Sequence, residues 1–293
     1  MALLGRGLLG VWHDVEFSKN EDLTDFHDWY TREHFRERLR VRGFMRGRRY
    51  EAVSGEPYYA ALYETESIKT LASATYHKRL DNPTPWSTRN LARFKNTNRT
   101  SFEVKYSAGF GLGSDLVVIW LSPKNEIKKP LKDWLSYTTL PDVLVQPGIV
   151  GAHFCTADPL VTRVDSTESD IRAIPDQIAD WIVMIEGHNQ QVLEQALNYR
   201  LSSEEFGRQG ISSPSTTFHR LIHCATSDDH SNFTGPVLIC DTQTLRHLTP
   251  PYEVRGKIQV DGKNGGEIGF GINQNNRPQA SVNIFNGARA QCA

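Results

Sequence analysis

The sequence repeats itself once, at a spacing that sets the size of its folding unit. The stretch WYTREHFRERLRVRGFMRGRRY, beginning at Trp29, aligns without a gap on WLSYTTLPDVLVQPGIVGAHFC, beginning at Trp134. The offset of 105 residues puts Leu39 on Leu144, Gly43 on Gly148 and Phe44 on Ile149. Two apolar runs extend the match: GVWHDV at 10–15 with VVIWLS at 117–122, and YAALYE at 59–64 with WIVMIE at 181–186. The last pair lies at an offset of 122, so the second copy carries 17 extra residues between its second and third strands. A repeat of about 100 residues is a duplicated domain rather than a solenoid unit, which runs at roughly 20–50 residues.

Local patterns give the order of elements within each copy. In the first, Leu8–Phe17 reads as a strand, and Asn20, Asp22 or Thr24 can cap a helix running to about Val41, which Gly43 ends. Strands over Phe44–Val53 and Tyr58–Glu64 meet at the turn Ser54-Gly55-Glu56-Pro57. A second helix over Ser67–Leu80 and a strand over Arg99–Ala108 complete the order βαββαβ. The second copy repeats it: strand 115–122, helix 129–145, strands 149–157 and 180–187, a helix from about 189, and a strand near 216–225.

The fold class is therefore α+β: two ferredoxin-like units, 1–108 and 115–225, plus a C-terminal extension, 226–293. That extension is rich in Asn, Gly and Gln and is β-rich or irregular, with short strands expected at 253–260, 267–273 and 280–285. The polar insertion at about 158–179 reads as an excursion loop. The run Gly109, Gly111, Gly113 reads as a linker, because it precedes a strand, whereas a dinucleotide fingerprint follows one and opens a helix.

Charge and cysteine usage exclude several classes of partner. With 33 Lys+Arg against 34 Asp+Glu the net charge is −1, which points to neither nucleic acid nor an anionic membrane. No apolar run approaches the roughly 18–20 residues of a membrane span, and the interrupted start MALLGRGLLG is not a secretory signal. Cys155, Cys224, Cys240 and Cys292 form no CxxC pair, which suits reduced thiols and a cytoplasmic location. The basic run Arg36, Arg38, Arg40, Arg42, Arg46, Arg48 and Arg49, interrupted by Glu37, reads as a solvated helix face and strand edge, with an anion-attracting pocket mouth as the alternative.

The phrase HDWYTREHFRERLRVRGFMRGRRY, with GVWHDV before it and YYAALYETES after it, resembles the EthD-like members of the dimeric α+β barrel superfamily. The resemblance covers 8–105 well and 115–225 more weakly, and leaves the tail outside. It implies a barrel of two ferredoxin-like units, here both supplied by one chain. Members of that superfamily include muconolactone-type isomerases, polyketide cyclases, cofactor-free quinone-forming monooxygenases, and haem-dependent dehydratases and peroxidases. The fold therefore does not select a reaction.

Candidate site residues come from the first helix and its neighbours. His27, Tyr30 and His34 fall at i, i+3 and i+7 on one stripe, with Leu23 one turn earlier pointing toward the sheet. At the 105-residue offset these three become Lys132, Leu135 and Thr139. A polar stripe needed only for folding would recur in the second copy, so the first half holds the cleft and the second is scaffold. His34, at the position of the family's helix histidine, is the candidate general acid/base, with Tyr30 beside it. His13 shares a strand face with Val11 and Val15 and meets this stripe if that face is inward. Arg48, Tyr50 and Tyr63 alternate on two strands and are candidates to hold an enolate or carboxylate. Trp86, after two prolines, anchors either a pocket lid or a surface loop.

These residues suggest a cofactor-free lyase or isomerase carrying out isomerisation, elimination or cyclisation on a small apolar lactone, phenolic or polyketide-like substrate. The alternatives are a haem-binding dehydratase- or peroxidase-like enzyme with a histidine ligand, and a non-catalytic ligand-binding or assembly protein. The expected partner is a small molecule, a homodimer is allowed, and no ligand spacing for a metal is present.

Overall fold

The computed structural model describes residues 3–18, 20–231, 253–260, 263–272 and 278–284. The chain divides into two compact units, Met1–Phe233 and Thr234–Ala293. In the first, β1 (Gly7–Val15) leads into α1 (Asn20–Trp29), which passes through a π-helical turn (Tyr30–His34) into α2 (Phe35–Leu39). Then come β2 (Phe44–Ser54), β3 (Tyr59–Thr65), α3 (Ala74–Leu80), α4 (Pro85–Leu91) and β4 (Phe94–Gly109). The second half runs β5 (Asp115–Leu121), α5 (Lys128–Trp134), a second π turn (Leu135–Thr139), α6 (Leu140–Leu144) and β6 (Ile149–Ala157). It continues with α7 (Pro159–Thr162), α8 (Thr167–Arg172), β7 (Trp181–Gly187), α9 (Gln190–Arg200), α10 (Ser203–Arg208), β8 (Ser215–Thr226) and α11 (Ser227–Ser231).

Eight strands close into a barrel in the order β1-β3-β2-β8-β5-β7-β6-β4. Each half contributes four antiparallel neighbours, and the β2–β8 and β4–β6 ladders join the halves. Closure within one chain leaves no barrel edge to be satisfied by a second copy. The repeat extends to the register: Phe44 faces Thr65 as Ile149 faces Gly187, and Gly43 and Gly148 both end their helices at positive φ, +91° and +82°.

One sequence alignment has to be shifted. Gly7 pairs with Thr65 and Asp115 with Gly187, so β1 matches β5 at an offset of 108, not the 107 that sets GVWHDV on VVIWLS. A one-residue slip exchanges the two faces of a strand. β1 is apolar on both faces, so hydrophobicity alone cannot fix its register. In the observed register Trp12 matches Trp120, and their rings meet inside the barrel at 4.4 Å between centroids.

Two faces of one sheet produce three cores. The inward face fills the barrel with Leu8, Trp12, Tyr50, Leu62, Phe102, Leu116, Val118, Ile182 and Met184. The outward faces of the two halves pack separately beneath their own helices. The insertion is not a bare loop. It forms α7 and α8, and its Val161, Val164 and Ile171 pack against the helix-facing core of the first half. In the C-terminal unit, β9 (Glu253–Val260), β10 (Lys263–Ile272) and β11 (Pro278–Ile284) form an antiparallel sheet with β10 in the centre. Residues 273 and 285 of the expected strands, like Cys240 and Cys292, lie outside the described residues.

Candidate active site

The first helix turns its aromatic and basic residues inward because of its π turn. One extra residue rotates the following helix by about 100°, so Phe35, Arg38 and Leu39 join Phe26 and Tyr30 on the buried face. Leu23, expected on that face, is instead 40% exposed. His27 is half-buried at the rim of the buried group.

His13 and Tyr30 form the centre of this group; the strand face that His13 shares with Val11 and Val15 is the one turned toward the helix. His13 Nδ1 donates to the carbonyl oxygen of Asp14 at 3.2 Å, leaving Nε2 to accept from the Tyr30 hydroxyl at 3.1 Å. Phe94 stacks on the imidazole at 3.7 Å between centroids. Burial, aided by the charges of Arg49 and Arg172, pushes the pKa of His13 down to about 3, so the ring is neutral. Burial drives the Tyr30 phenol well above its ordinary range, so Tyr30 is a donor and not a phenolate.

His34 follows one turn later, its ring 4.3 Å from that of Trp29 and 5.3 Å from that of Tyr30. Its Nδ1 is buried without a hydrogen-bond partner. Burial first, then Arg38, His13 and Arg49, holds the imidazole far below its usual pKa. Tyr63 lies 6.4 Å from His34 between centroids, and its hydroxyl is also buried without a partner.

Two arginines complete the group. Arg38 pairs with Glu168 of α8, so the insertion of the second half supplies the counter-charge to the first. The Arg49 guanidinium lies 4.1 Å from the Tyr30 ring centroid, 4.7 Å from Phe26 and 5.2 Å from Tyr59. Its Nη1 donates to His27 Nδ1 at 2.9 Å, while Nε and Nη2 are buried without acceptors. Burial lowers its pKa. In the sequence both arginines belong to the basic run, whose first reading is a solvated face; the structure corrects that reading, since Arg38, Arg46, Arg48 and Arg49 are all buried. A signal was present, because the offset of 105 sets Arg38 on Val143 and Arg49 on Phe154.

Three expected site residues are not brought to this group. Arg48 and Tyr50 lie on the other face of β2, inside the barrel. There Arg48 bridges Glu64 at 2.9 Å and Glu186 at 2.7 Å, and Glu186 accepts from His153 at 3.1 Å. Burial alone would raise the pKa of Glu186, but Arg48 and His153 outweigh it and hold the carboxyl below its usual range. Glu64 matches Glu186 and Arg48 matches His153 between halves, so this ion network straddles the internal symmetry as a seam. Trp86 is a core anchor rather than a lid: it is 6% exposed, and its Nε1 donates to Asp25 Oδ1 at 3.0 Å, tying α4 to α1.

Beside the buried group a pocket of about 160 Å³ opens between the first helix and β8, lined by Thr31, Phe35, Leu39, His223 and Ala225 among others. The Phe35 ring forms its inner wall, stacked on His223 at 5.0 Å and in contact with Tyr63 at 5.3 Å and Tyr30 at 5.8 Å.

No family model and no curated protein matches the chain in sequence. Among solved structures, a candidate monooxygenase from Fusobacterium nucleatum subsp. nucleatum aligns with a TM-score of 0.50 at 8% identity, over 76% of this chain and 96% of that one. An anthrone oxidase-like protein aligns at 0.49 with 12% identity, over 75% and 92% of the two chains. A candidate monooxygenase from Lactobacillus acidophilus NCFM aligns at 0.48 with 6% identity, over 76% and 97%. At such identities the likeness is one of fold: the architecture is that of the ferredoxin-like dimeric α+β barrels, built here from a single chain. No helix among the described residues is long and apolar enough to cross a membrane.

Proposed function

We propose that the group His13, Tyr30, His34, Arg38, Arg49 and Tyr63 is the active centre of a cofactor-free enzyme doing acid/base chemistry on a small lactone, phenolic or polyketide-like substrate. One observation carries the reading. At the equivalent places under the same fold, the second half has Leu121, Leu135, Thr139, Val143, Phe154 and Ile185. The fold packs well with those residues, so it does not require the polar set. Burying such a set costs stability unless every group is paired, and several of these are not.

In this mechanism His34 takes a proton from the substrate O–H or activated C–H. Its imidazole is a weak base in the resting protein because burial and Arg38 oppose an imidazolium. An enolate or phenolate formed beside it offsets both effects, so the proton and the negative charge stabilise each other as they develop. Arg49 stabilises the oxyanion through its spare Nε and Nη2 donors, while Tyr30, its one hydroxyl proton given to His13 Nε2, holds the ring against which the guanidinium lies. Isomerisation is completed when His34 returns the proton to a different carbon of the enolate; elimination is completed when the enolate expels a β-oxygen, the C–O bond breaking as the π bond forms and the departing oxygen taking the proton from His34. The monooxygenase names carried by neighbouring structures extend this by one class, since a phenolate or enolate is also the form most readily oxidised by dioxygen.

Haem finds less support in these residues. His13 has both ring nitrogens engaged, and the His34 ring lies tilted against that of Trp29 in a packed core. The adjoining pocket has room for about one aromatic ring, far less than a macrocycle of four pyrroles. The test is turnover by His34→Ala on a panel of phenols, lactones and enolisable esters. Activity should fall by roughly 10²–10⁴ with the melting temperature preserved; a variant that keeps wild-type turnover sinks the assignment.

A further inference from the structure

The buried arginines of the first half are not treated alike. Arg38 has Glu168, Arg46 has Glu64, and Arg48 has Glu64 and Glu186. Arg49, 1% exposed, has no carboxylate contact among the described residues. Glu51 meets the far nitrogen of His27 at 4.0 Å, so the imidazole stands between that carboxylate and Arg49. Three aromatic rings around the guanidinium ease its burial through their faces, but they accept no hydrogen bond from the in-plane N–H groups of Nε and Nη2. A buried cation with spare donors is costly unless an anion visits it.

The pocket of about 160 Å³ lies next to it. Its wall residue His223 is the cross-strand partner of Arg49 on the β2–β8 ladder, and His223 Nδ1 is a second buried atom without a partner. Between the pocket and the Arg49–Tyr30 group stands the ring of Phe35. An apolar cavity of about 150 Å³ holds a benzene molecule, so the pocket is sized for one aromatic ring. At the mouth, Arg36 and Asp229 carry opposite charges, and Asp229 already accepts from Thr226 N and Oγ1. The mouth therefore carries no net charge against an anion.

We propose that this pocket binds a planar monoanion with a single aromatic ring, an aryl carboxylate or a phenolate, whose oxygen reaches Arg49 when the Phe35 ring swings aside. This rests on the reading of the neighbouring group as an acid/base centre, and names its substrate class. In the second half Phe154 replaces Arg49 and Leu140 replaces Phe35, and the device is absent there.

Calorimetric titration of the full chain at a mildly alkaline pH, where 4-nitrophenol is ionised, with benzoate, 4-nitrophenolate and neutral benzyl alcohol tests it. Benzoate or 4-nitrophenolate should bind at least about tenfold tighter than the alcohol, the one that binds identifying the anion. That preference should vanish in Arg49→Gln and survive in part in Arg49→Lys. Should Arg49→Gln not fold, Thr31→Trp, a change at an exposed pocket residue, should block the anions while Arg49 stays in place. Equal binding of anion and alcohol, absence of anion binding, or unchanged preference in Arg49→Gln overturns the proposal. Such a result together with lost turnover in His34→Ala removes the anion site alone, whereas full turnover in His34→Ala removes the acid/base centre whatever the titration shows.

Discussion

The two halves of the barrel share strand order, register, a π turn in the first helix and a left-handed glycine at its end, yet they treat the space beneath that helix differently. Under α5 and α6 the second half packs Leu131, Leu135, Leu140 and Val143 on Val117, Ile119 and Phe154. Under α1 and α2 the first half interleaves aromatic rings with two neutral imidazoles and two guanidinium groups. Equal folds with unequal contents separate what holds the unit together from what the unit does. The halves also cooperate, because α8 of the second half crosses to give Arg38 its carboxylate and to cover the first half.

Exchanging residues between equivalent positions is the direct way to break this comparison. Phe154→Arg should have the largest effect, a loss of about 3–5 kcal/mol in urea denaturation, because the second half offers neither the histidine nor the ring set that surrounds Arg49. A loss below about 1 kcal/mol would mean that the two environments are equivalent. His34→Thr, which installs the residue found at Thr139, should lower turnover by roughly 10²–10⁴ while leaving the urea midpoint close to wild type. Glu168→Gln should cost about 3 kcal/mol by leaving Arg38 without its buried counter-charge, and protease cleavage within α7–α8 should speed up with it.

The pH dependence of stability sharpens the same contrast. His13 and His34 are held neutral in the folded protein, with pKa values depressed by burial, to about 3 for His13. Below the unfolded value of 6.5 the unfolded chain binds more protons than the native one, so stability falls as pH drops from about 6.5 toward 3. His13 should cost roughly 2 kcal/mol by pH 5, and His34 acts in the same direction. His13→Leu, the residue found at Leu121, should flatten that acid limb in urea titrations at pH 5 and 7; an unchanged limb would show that His13 is not the group responsible. The smallest effect is expected for Lys132→His, which copies His27 onto an exposed position and should move stability by less than about 0.5 kcal/mol.

Much of the fold was legible in the chain. Periodicity and turn residues gave both βαββαβ orders, and the 105-residue offset located the first helix of the second half, whereas the π turn in each of these helices was not legible. The polar stripe of His27, Tyr30 and His34, and its loss in the second copy, pointed to the face of the first half where the structure gathers His13, Tyr30, His34 and Arg49. The choice between Arg48 and Arg49 was not legible. Adjacent residues of a strand face opposite sides, and β2 is buried on both, so no hydrophobic alternation marks which arginine meets the helix. The insertion was read as a loop because its polar composition hides the apolar Val161, Val164 and Ile171 that seat it.

The sequence by itself determined the matched order of elements in the two halves and the half that carries the polar stripe, because these follow from local periodicity and from comparing two copies of one pattern. Only the tertiary structure decided the register of β1 against β5, the face on which Arg49 lies, and the partnership of Arg38 with Glu168, 130 residues away. Those depend on which surfaces meet when the barrel closes, and closure joins strands whose side chains carry no local record of their future neighbours.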